Sequence, residues 1–325
     1  MAQLKLGGID RPNEKVLARI CSSYASELIV TIHSVDLAVS LYRRVRDMPT
    51  TFTKGIVRDQ QGVSINGPFM PDKPKLLMGS HEDGRQVVVK LLFLDADDPR
   101  DIAVRILEIS NEIQCCKDLA SSDGNIALVQ HEVVTLDVPT EMVGQTRRSG
   151  QFSALLMPQY VRSVARGPSF SKMVVTREAR RILDALRYVH DRGYVHMDVK
   201  SDNVFYDTSG RWFLGDFGSA CNLNSGAVVF STTEVFYHGK ILGQQAYPKY
   251  DWFMLLVMIL IELENKDDWA LKFIEEKHLK VSYDRVMAEA QRVIDNQTYP
   301  QDLRACISEI VSAYSSAETC FSAEA

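Results

Sequence analysis

The sequence has no apolar run long enough to cross a lipid bilayer. Its strongest apolar stretch, from Trp252 to Leu263, is interrupted by Glu262 and falls short of the about 20 residues that a membrane-spanning helix needs. The opening segment, MAQLKLGGIDRPNEK, lacks the apolar centre of a secretory signal. These absences favour a soluble, intracellular, cytoplasmic protein without a membrane span, in which residues 252–263 form a buried helix.

The sequence also lacks an excess of basic charge and any paired spacing of cysteines. Lysine and arginine number 37 against 42 aspartates and glutamates, which gives a net charge of −5 and a pI near 5.8. Without a general basic field, nucleic acid is not an expected partner. The 6 cysteines show no metal-ligand spacing, and we expect them to be reduced thiols.

Two short polar clusters lie between Tyr194 and Gly218, a stretch that reads YVHMDVKSDNVFYDTSGRWFLGDFG. The first cluster is His196 to Asn203, and the second is Asp216 to Gly218. The segment between them is apolar and contains turn residues, which predicts a pair of short strands. Such a pair would bring the two clusters together.

The chemistry of these clusters suits phosphoryl transfer. That reaction needs a carboxylate near the attacking hydroxyl and divalent metal ions near the phosphate oxygens. Asp198 is a candidate base, and Lys200 is a cation two residues away. Asn203 and Asp216 are hard oxygen ligands of the type that suits magnesium.

The stretch resembles the catalytic loop and the metal-binding motif of eukaryotic protein kinases, which are written H-R-D-L-x-x-x-N and D-F-G. The resemblance implies an α+β, two-lobed, protein-kinase-like fold, with a small β-rich N-lobe that has one key helix and a larger helical C-lobe. It implies ATP and Mg²⁺ as cofactors. It also implies a protein substrate, of unknown identity, whose serine or threonine hydroxyl receives the γ-phosphoryl group.

The resemblance covers roughly residues 53 to 316 and divides the chain into three parts. Residues 53–160 would form the N-lobe and hinge, and residues 161–325 the C-lobe. Residues 1–52 predict a helical N-terminal extension, because apolar residues recur there at helical spacing. Its basic end, Tyr42 to Arg46, is a possible docking surface for a partner, although a charged run is usually a solvated helix face.

In the N-lobe, residues 75–92 read as a hairpin with a glycine-containing loop, and Lys90 ends its β-branched run. The resemblance implies that Lys90 holds the α- and β-phosphates and pairs with Glu112 on the following helix, with Glu108 one turn earlier as the alternative. The remaining cofactor-binding residues that it implies surround the adenine: Val88, Met157, Gln159, Tyr160 and Phe205. Met157 would line the back of the pocket, and backbone groups from Pro158 to Tyr160 would face the adenine edge.

In the C-lobe, Thr176 to Arg192 predict a helix that leads into the catalytic loop. Asp251 opens the predicted buried helix, and the resemblance implies that it holds the backbone of the catalytic loop. Thr233 matches the threonine that precedes the peptide-binding stretch of serine/threonine kinases. The segment from Ser219 to Lys240 is therefore the candidate activation segment.

Four features depart from the family pattern. No G-x-G-x-x-G precedes Lys90; residues Asn66 to Pro74 stand there instead, with prolines where close approach to phosphate favours glycine. Met197 replaces the catalytic-loop arginine, so the resemblance is to the non-RD type of kinase, in which the arginine that usually binds a phosphorylated activation segment is absent. Val88 adds bulk over the adenine. His238 to Lys240 replace A-P-E, which predicts a looser anchor for the peptide-binding segment.

The groups that would touch metal or reacting oxygens are all kept: Lys90, Glu112, Asp198, Lys200, Asn203 and Asp216. Because positioning and electrostatics carry phosphoryl transfer, an active ATP-dependent serine/threonine protein kinase is favoured. One alternative is a pseudokinase that acts as a nucleotide-binding or scaffold protein. The other is a small-molecule phosphotransferase, against which Lys200, Gly218 and Thr233 resemble the protein-kinase version.

Overall fold

A computed structural model describes residues 63–70, 73–81, 83–92, 102–120, 126–138, 150–229, 234–264, 272–275 and 280–321. The predicted N-terminal extension and Thr233 lie outside these ranges. The described part of the chain forms a small lobe built on a sheet and a larger lobe built on helices. The predicted α+β, two-lobed architecture is therefore confirmed.

The small lobe is a five-stranded antiparallel sheet with one helix. Its strands are β1 (Val63–Met70), β2 (Lys73–His81), β3 (Gln86–Leu91), β4 (Glu132–Val138) and β5 (Gly150–Pro158). Their order in the sheet is β1-β2-β3-β5-β4. Helix α1 (Ile102–Asp118) lies between β3 and β4 in the chain. It is the single helix that the sequence predicts for this lobe.

The predicted hairpin is formed by β2 and β3. Gly84 has a φ of 86°, a left-handed conformation that favours glycine, and its N–H donates to the carbonyl of His81 at 2.9 Å. Asp83 accepts a hydrogen bond from the N–H of Arg85. This turn fixes the register that pairs Leu76 with Lys90.

The segment that replaces the glycine-rich loop is largely strand. β1 runs to Met70 and β2 begins at Lys73, and the pairing between them shifts register between Ile65 and Gly67 and again between Pro68 and Met70. β1 is an edge strand, where a residue without an N–H is tolerated. Pro68 therefore lies on an edge strand, next to a shift in the pairing register.

The large lobe contains four helices in its described part: α2 (Lys172–Asp191), α3 (Pro248–Leu263), α4 (Tyr283–Asp295) and α5 (Gln301–Phe321). The predicted helix before the catalytic loop is α2, which begins four residues earlier than expected. Ser171 caps its start by accepting a hydrogen bond from the N–H of Val174. Its buried stripe packs toward α3 and α5.

Helix α3 is the centre of the large lobe. Proline stands in its first turn, where the missing N–H is tolerated. Every residue from Tyr250 to Glu262 is buried, so the helix has no face toward water and must be covered on all sides. It contacts α2, α4 and α5, which confirms the predicted buried helix.

Short strands join the helices and hold the catalytic segment. They are β6 (Arg162–Ser163), β7 (Tyr194–Val195), β8 (Val204–Tyr206), β9 (Trp212–Leu214), β10 (Cys221–Asn222), β11 (Ile274–Glu275) and β12 (Lys280–Val281). β8 pairs with β9, which confirms the predicted pair of strands between the polar clusters, and β7 pairs with β10. In the described residues no helix combines the length and apolarity that a membrane crossing requires.

Candidate active site

The segment between β7 and β8 is anchored by the carboxylate of Asp251. This side chain is fully buried in the first turn of α3. It accepts hydrogen bonds from the backbone N–H groups of His196 at 2.7 Å and Met197 at 2.8 Å, and from Nε2 of His190 at 2.8 Å. The contact to the catalytic-loop backbone that the resemblance implies is present.

Two residues of the site have left-handed backbone conformations that are uncommon outside glycine. Met197 has a φ of 66°, and Asp216 has a φ of 60°. Such conformations cost on the order of 1–3 kcal/mol and persist where the surroundings hold them. For Met197, the holding contacts are the Asp251 carboxylate and the burial of its own side chain. The departure from arginine thus places an apolar side chain in the core.

Asp198 lies at the centre of a tight polar group. Both of its carboxylate oxygens contact Nζ of Lys200, at 2.9 and 2.7 Å. Nδ2 of Asn203 donates to the carbonyl of Asp198 at 2.8 Å and to its Oδ2 at 2.9 Å. The side chains of Asp198 and Lys200 are 14% and 16% exposed, so the carboxylate is oriented by its neighbours while part of it still reaches solvent.

His196, to which the sequence analysis gave no role, connects the two polar clusters. Its ring is fully buried, and its Nδ1 accepts from the N–H of Asp198 at 3.3 Å while Nε2 lies 3.0 Å from the carbonyl of Gly215. Nε2 must therefore carry the proton. The only signal in the sequence is its place two residues before Asp198 in the motif.

Phe217 fills the space beneath this connection. It is 1% exposed, and its ring centroid lies 4.9 Å from that of His196 and 6.2 Å from that of His131. Burial, followed by the positive charge of Lys90, lowers the pKa of His131 to about 4. His131 is therefore a neutral ring at physiological pH, and no sequence pattern marked it.

Lys90 joins the two lobes through a pair of carboxylates. Its Nζ lies 2.6 Å from Oε1 of Glu112 on α1 and 2.8 Å from Oδ1 of Asp216. Burial alone would lower the pKa of Lys90, but the charges of Asp216 and Glu112 outweigh it and raise the pKa. Lys90 in turn holds the pKa of Asp216 well below its usual range. The amine and the Asp216 carboxylate therefore both stay charged, and the carboxylate that contacts Lys90 on α1 is that of Glu112.

Asn203 and Asp216 meet at the end of the β8–β9 pair. The N–H of Gly215 donates to the carbonyl of Asn203 at 2.9 Å, which places Asp216 next to it. Because Asn203 contacts Asp198 through Nδ2, its amide oxygen is on the opposite side of the group. An ionised carboxylate and an amide oxygen suit magnesium, so these residues fit the ion that the sequence predicts.

Two of the predicted adenine-pocket residues, Val88 and Met157, lie on the sheet of the small lobe; Gln159 and Tyr160 follow β5, and Phe205 lies on β8. The register of β3 and β5 pairs Val88 with Met157 and Lys90 with Leu155. Since side chains alternate along a strand, Val88 and Lys90 point to the same face. Val88 is 5% exposed, so a branched side chain is buried on the face that carries Lys90.

The hinge segment offers one backbone donor. Pro158 has no N–H, and the N–H of Gln159 donates to the carbonyl of Gln86 at 3.3 Å. Tyr160 supplies the next N–H, and its ring contacts that of Phe205 at 5.9 Å between centroids. Burial raises the pKa of the Tyr160 phenol to about 12, so the ring is neutral. The N–H of Tyr160 is therefore the group of this segment that could donate to an adenine edge.

The segment that follows Asp216-Phe217-Gly218 is anchored without an A-P-E motif. His238 packs on Phe253 of α3 at 4.8 Å between centroids, and its Nε2 lies 2.7 Å from the hydroxyl of Tyr314 on α5. Residues 227–229 also bond to residues 243–246 through their backbones. In the described residues, an aromatic cluster centred on His238 and this backbone pairing anchor the segment in place of A-P-E, and the looser anchor expected from the sequence stays a prediction.

The comparisons with known proteins agree with this geometry. A family model of the protein kinase domain matches residues 76–312, and the chain belongs to the protein kinase family. It is similar to the serine/threonine-protein kinase US3 homolog of Gallid herpesvirus 2 (strain GA), with 45% identity over 58 residues that cover 18% of this chain and 14% of the relative.

Two fungal relatives extend the similarity. The mitogen-activated protein kinase kinase kinase bck1 of Aspergillus fumigatus is 25% identical over 202 residues, which are 55% of this chain and 12% of that protein. Serine/threonine-protein kinase PSK2 of Saccharomyces cerevisiae is 34% identical over 105 residues, which are 30% of this chain and 10% of that protein. The matches thus span only a small part of each relative.

Proposed function

We propose that this chain is an ATP-dependent protein kinase that transfers the γ-phosphoryl group to serine or threonine hydroxyls of a protein substrate. The observation that carries the proposal is Lys90, whose amine contacts both Glu112 and Asp216. These three residues come from β3, α1 and the end of the β8–β9 pair, so the contact aligns both lobes. The relatives named serine/threonine kinases support the choice of acceptor.

Each residue has a proposed role, and its contacts are consistent with that role. Asp198 orients the acceptor hydroxyl and takes its proton, and the two contacts from Lys200 fix the plane of its carboxylate. Lys200 supports the γ-phosphate, and Lys90 holds the α- and β-phosphates. Asn203 and Asp216 hold magnesium, which when bound neutralises charge on the phosphate oxygens.

The adenine is held between the sheet and the floor of the larger lobe. Val88 and Met157 are opposite each other on β3 and β5, and they form the roof and back of the pocket. Phe205 forms its floor, and the backbone of Gln159 and Tyr160 faces the adenine edge. An aromatic floor provides stacking area for a base.

The second candidate is a pseudokinase that binds nucleotide or serves as a scaffold. It is favoured by the irregular β1–β2 hairpin, where prolines replace the glycines that let backbone approach phosphate. The same feature predicts a high nucleotide requirement and slow turnover if the chain is active. The two candidates therefore differ in whether any phosphoryl transfer occurs.

The test compares wild-type protein with Asp198→Asn, using labelled ATP, magnesium and acceptors that include a serine/threonine peptide library and small alcohols. Asp198→Asn should abolish transfer while nucleotide binding is kept, because the amide preserves shape but accepts no proton. Asp284→Asn is the matched control, since Asp284 is an exposed aspartate on α4. Equal transfer by wild type and Asp198→Asn, or no transfer by either, would reject the kinase proposal and favour the pseudokinase that serves as a scaffold.

A further inference from the structure

The end of α1 is tied to the catalytic segment by one short hydrogen bond. The hydroxyl of Tyr194 donates to Oδ2 of Asp118 at 2.5 Å. Asp118 is the last residue of α1 and Tyr194 is the first of β7, so the two are 76 positions apart in the chain. The bond connects the helix of the small lobe to the strand that leads into the catalytic loop.

Tyr194 lies where it can affect the position of helix α1. It is 4% exposed, and its strand pairs with β10, where its partner is Asn222. The side chain of Asn222 also hydrogen-bonds the phenol, and burial followed by the Asp118 contact raises the pKa of Tyr194. The phenol is therefore a neutral donor on β7 that contacts Asp118 of α1 and Asn222 of β10, and β10 follows the Asp216 motif.

We propose that Tyr194 is a positioning residue for the contact between Lys90 and Glu112, acting through Asp118 and the rigid body of α1. Glu112 and Asp118 lie six positions apart on this helix, about 9 Å at the usual rise per residue. Fixing the end of the helix therefore restricts the place of the Glu112 carboxylate. The kinetic part of this inference rests on the proposed kinase function.

The Tyr194–Asp118 hydrogen bond has a specific role in this chain. With Met197 in place of the arginine, a phosphate on the activation segment lacks its usual reader. The position of α1 must then be set by contacts that are present without modification. The Tyr194–Asp118 bond is such a contact, because it needs no phosphate and links α1 directly to the segment that carries Asp198.

The competing explanation is that apolar packing alone holds α1. Cys115, Cys116 and Leu119 are each no more than 3% exposed, and in that case the phenol would contribute only to stability. Tyr194→Phe separates the two because it removes the hydroxyl and keeps the ring. Tyr188→Phe is the matched control, since among the described residues the Tyr188 hydroxyl makes a long contact, at 3.5 Å, to the carbonyl of Leu119.

The first measurement is hydrogen exchange of the nucleotide-free protein. Tyr194→Phe should speed the exchange of α1 amides in residues 110–118 and leave α4 unchanged, whereas Tyr188→Phe should have little effect on either. Asp118→Asn keeps an oxygen acceptor and should stay close to wild type, while Asp118→Ala should resemble Tyr194→Phe. Unchanged α1 exchange in both Tyr194→Phe and Asp118→Ala would overturn the proposal.

The second measurement is a double-mutant cycle with Glu112→Gln, read as kcat/KM for ATP and as the Kd for magnesium-nucleotide. Tyr194→Phe should lower kcat/KM by roughly ten-fold in the wild-type background, the scale of a hydrogen bond to a charged group. It should have almost no further effect when Glu112 is already replaced. Equal effects in both backgrounds would show a merely structural role and refute the proposal.

The two measurements also separate this inference from the proposed function. Hydrogen exchange and nucleotide Kd do not require turnover. Faster α1 exchange and non-additive effects on the nucleotide Kd in a chain that transfers no phosphate would support the positioning role of Tyr194 and refute only the kinase activity. Additive effects in an active chain would support the kinase activity and refute the positioning role.

Discussion

Replacing Asp251 with asparagine changes one oxygen of a fully buried carboxylate into an NH₂ group. Oδ2 accepts from His190 and His196, and Oδ1 accepts from Met197. The amide should keep its oxygen toward the two donors at the Oδ2 position. Its NH₂ group then faces the N–H of Met197, and two donors point at each other.

The expected cost follows from these three bonds. A hydrogen bond to a charged group contributes about 1.5–3 kcal/mol and one between neutral groups about 0.5–1.5 kcal/mol. Losing one such bond and weakening two others by about 1 kcal/mol each gives a destabilisation of about 4 kcal/mol. At roughly 2–4 °C per kcal/mol for a domain of this size class, the Tm should fall by about 10 °C.

Thermal unfolding followed by circular dichroism measures this change, with Asp284→Asn as the control for the same substitution at an exposed site. Asp251→Ala should be worse, since it leaves no acceptor for any of the three donors. Turnover of Asp251→Asn should also fall at temperatures where it stays folded, because Met197 loses the contact that holds its left-handed backbone. A Tm within about 3 °C of wild type would refute the argument, since it is less than half of the expected shift.

Two further predictions concern metal and pH. Magnesium-nucleotide should raise the Tm of wild-type protein by preferential binding to the folded state, and Asp216→Ala should remove the magnesium-dependent part; an unchanged magnesium-dependent shift would exclude Asp216 as a ligand. His131 has a pKa of 6.5 in the unfolded chain and of about 4 in the folded chain. Protonation of His131 therefore favours the unfolded state, so the stability that depends on its neutral ring is fully present above pH 6.5 and is lost as the pH falls toward 4. Urea unfolding between pH 7 and 4.5 should show a decline of up to about 3 kcal/mol that His131→Gln reduces; an identical decline in that variant would contradict the assignment.

Local spacing predicted much of the site. The separation of Asp198, Asn203 and Asp216 and the apolar segment between them were enough to predict a strand pair that joins two polar clusters. Lys90 lies in a β-branched run that predicted its strand, but its proposed role came from the kinase resemblance and from its order along the chain. These features depend on neighbours in the chain, so a sequence pattern can show them.

Most of the contacts that sequence reasoning missed are between distant positions. Tyr194 and Asp118, or His238 and Tyr314, become partners only once helices and strands have packed, and a tyrosine or histidine alone does not reveal its partner. His238 shows this most clearly: the absence of A-P-E predicted a weak anchor, whereas an aromatic cluster supplies another. The absence of a sequence motif therefore does not show that the contacts it usually makes have no substitute.

The complete burial of α3 has a consequence for the design of shorter fragments of the chain. One side of this helix is covered by α5, whose buried apolar residues, in its described part, are Leu303, Cys306, Ile307, Ile310 and Tyr314. A chain shortened before Gln301 would expose that side to water as a contiguous apolar surface, which promotes aggregation. Although α5 supplies none of the proposed catalytic or metal-binding residues, the first turn of α3 carries Asp251. A soluble fragment with an intact catalytic loop must therefore extend through the last helix.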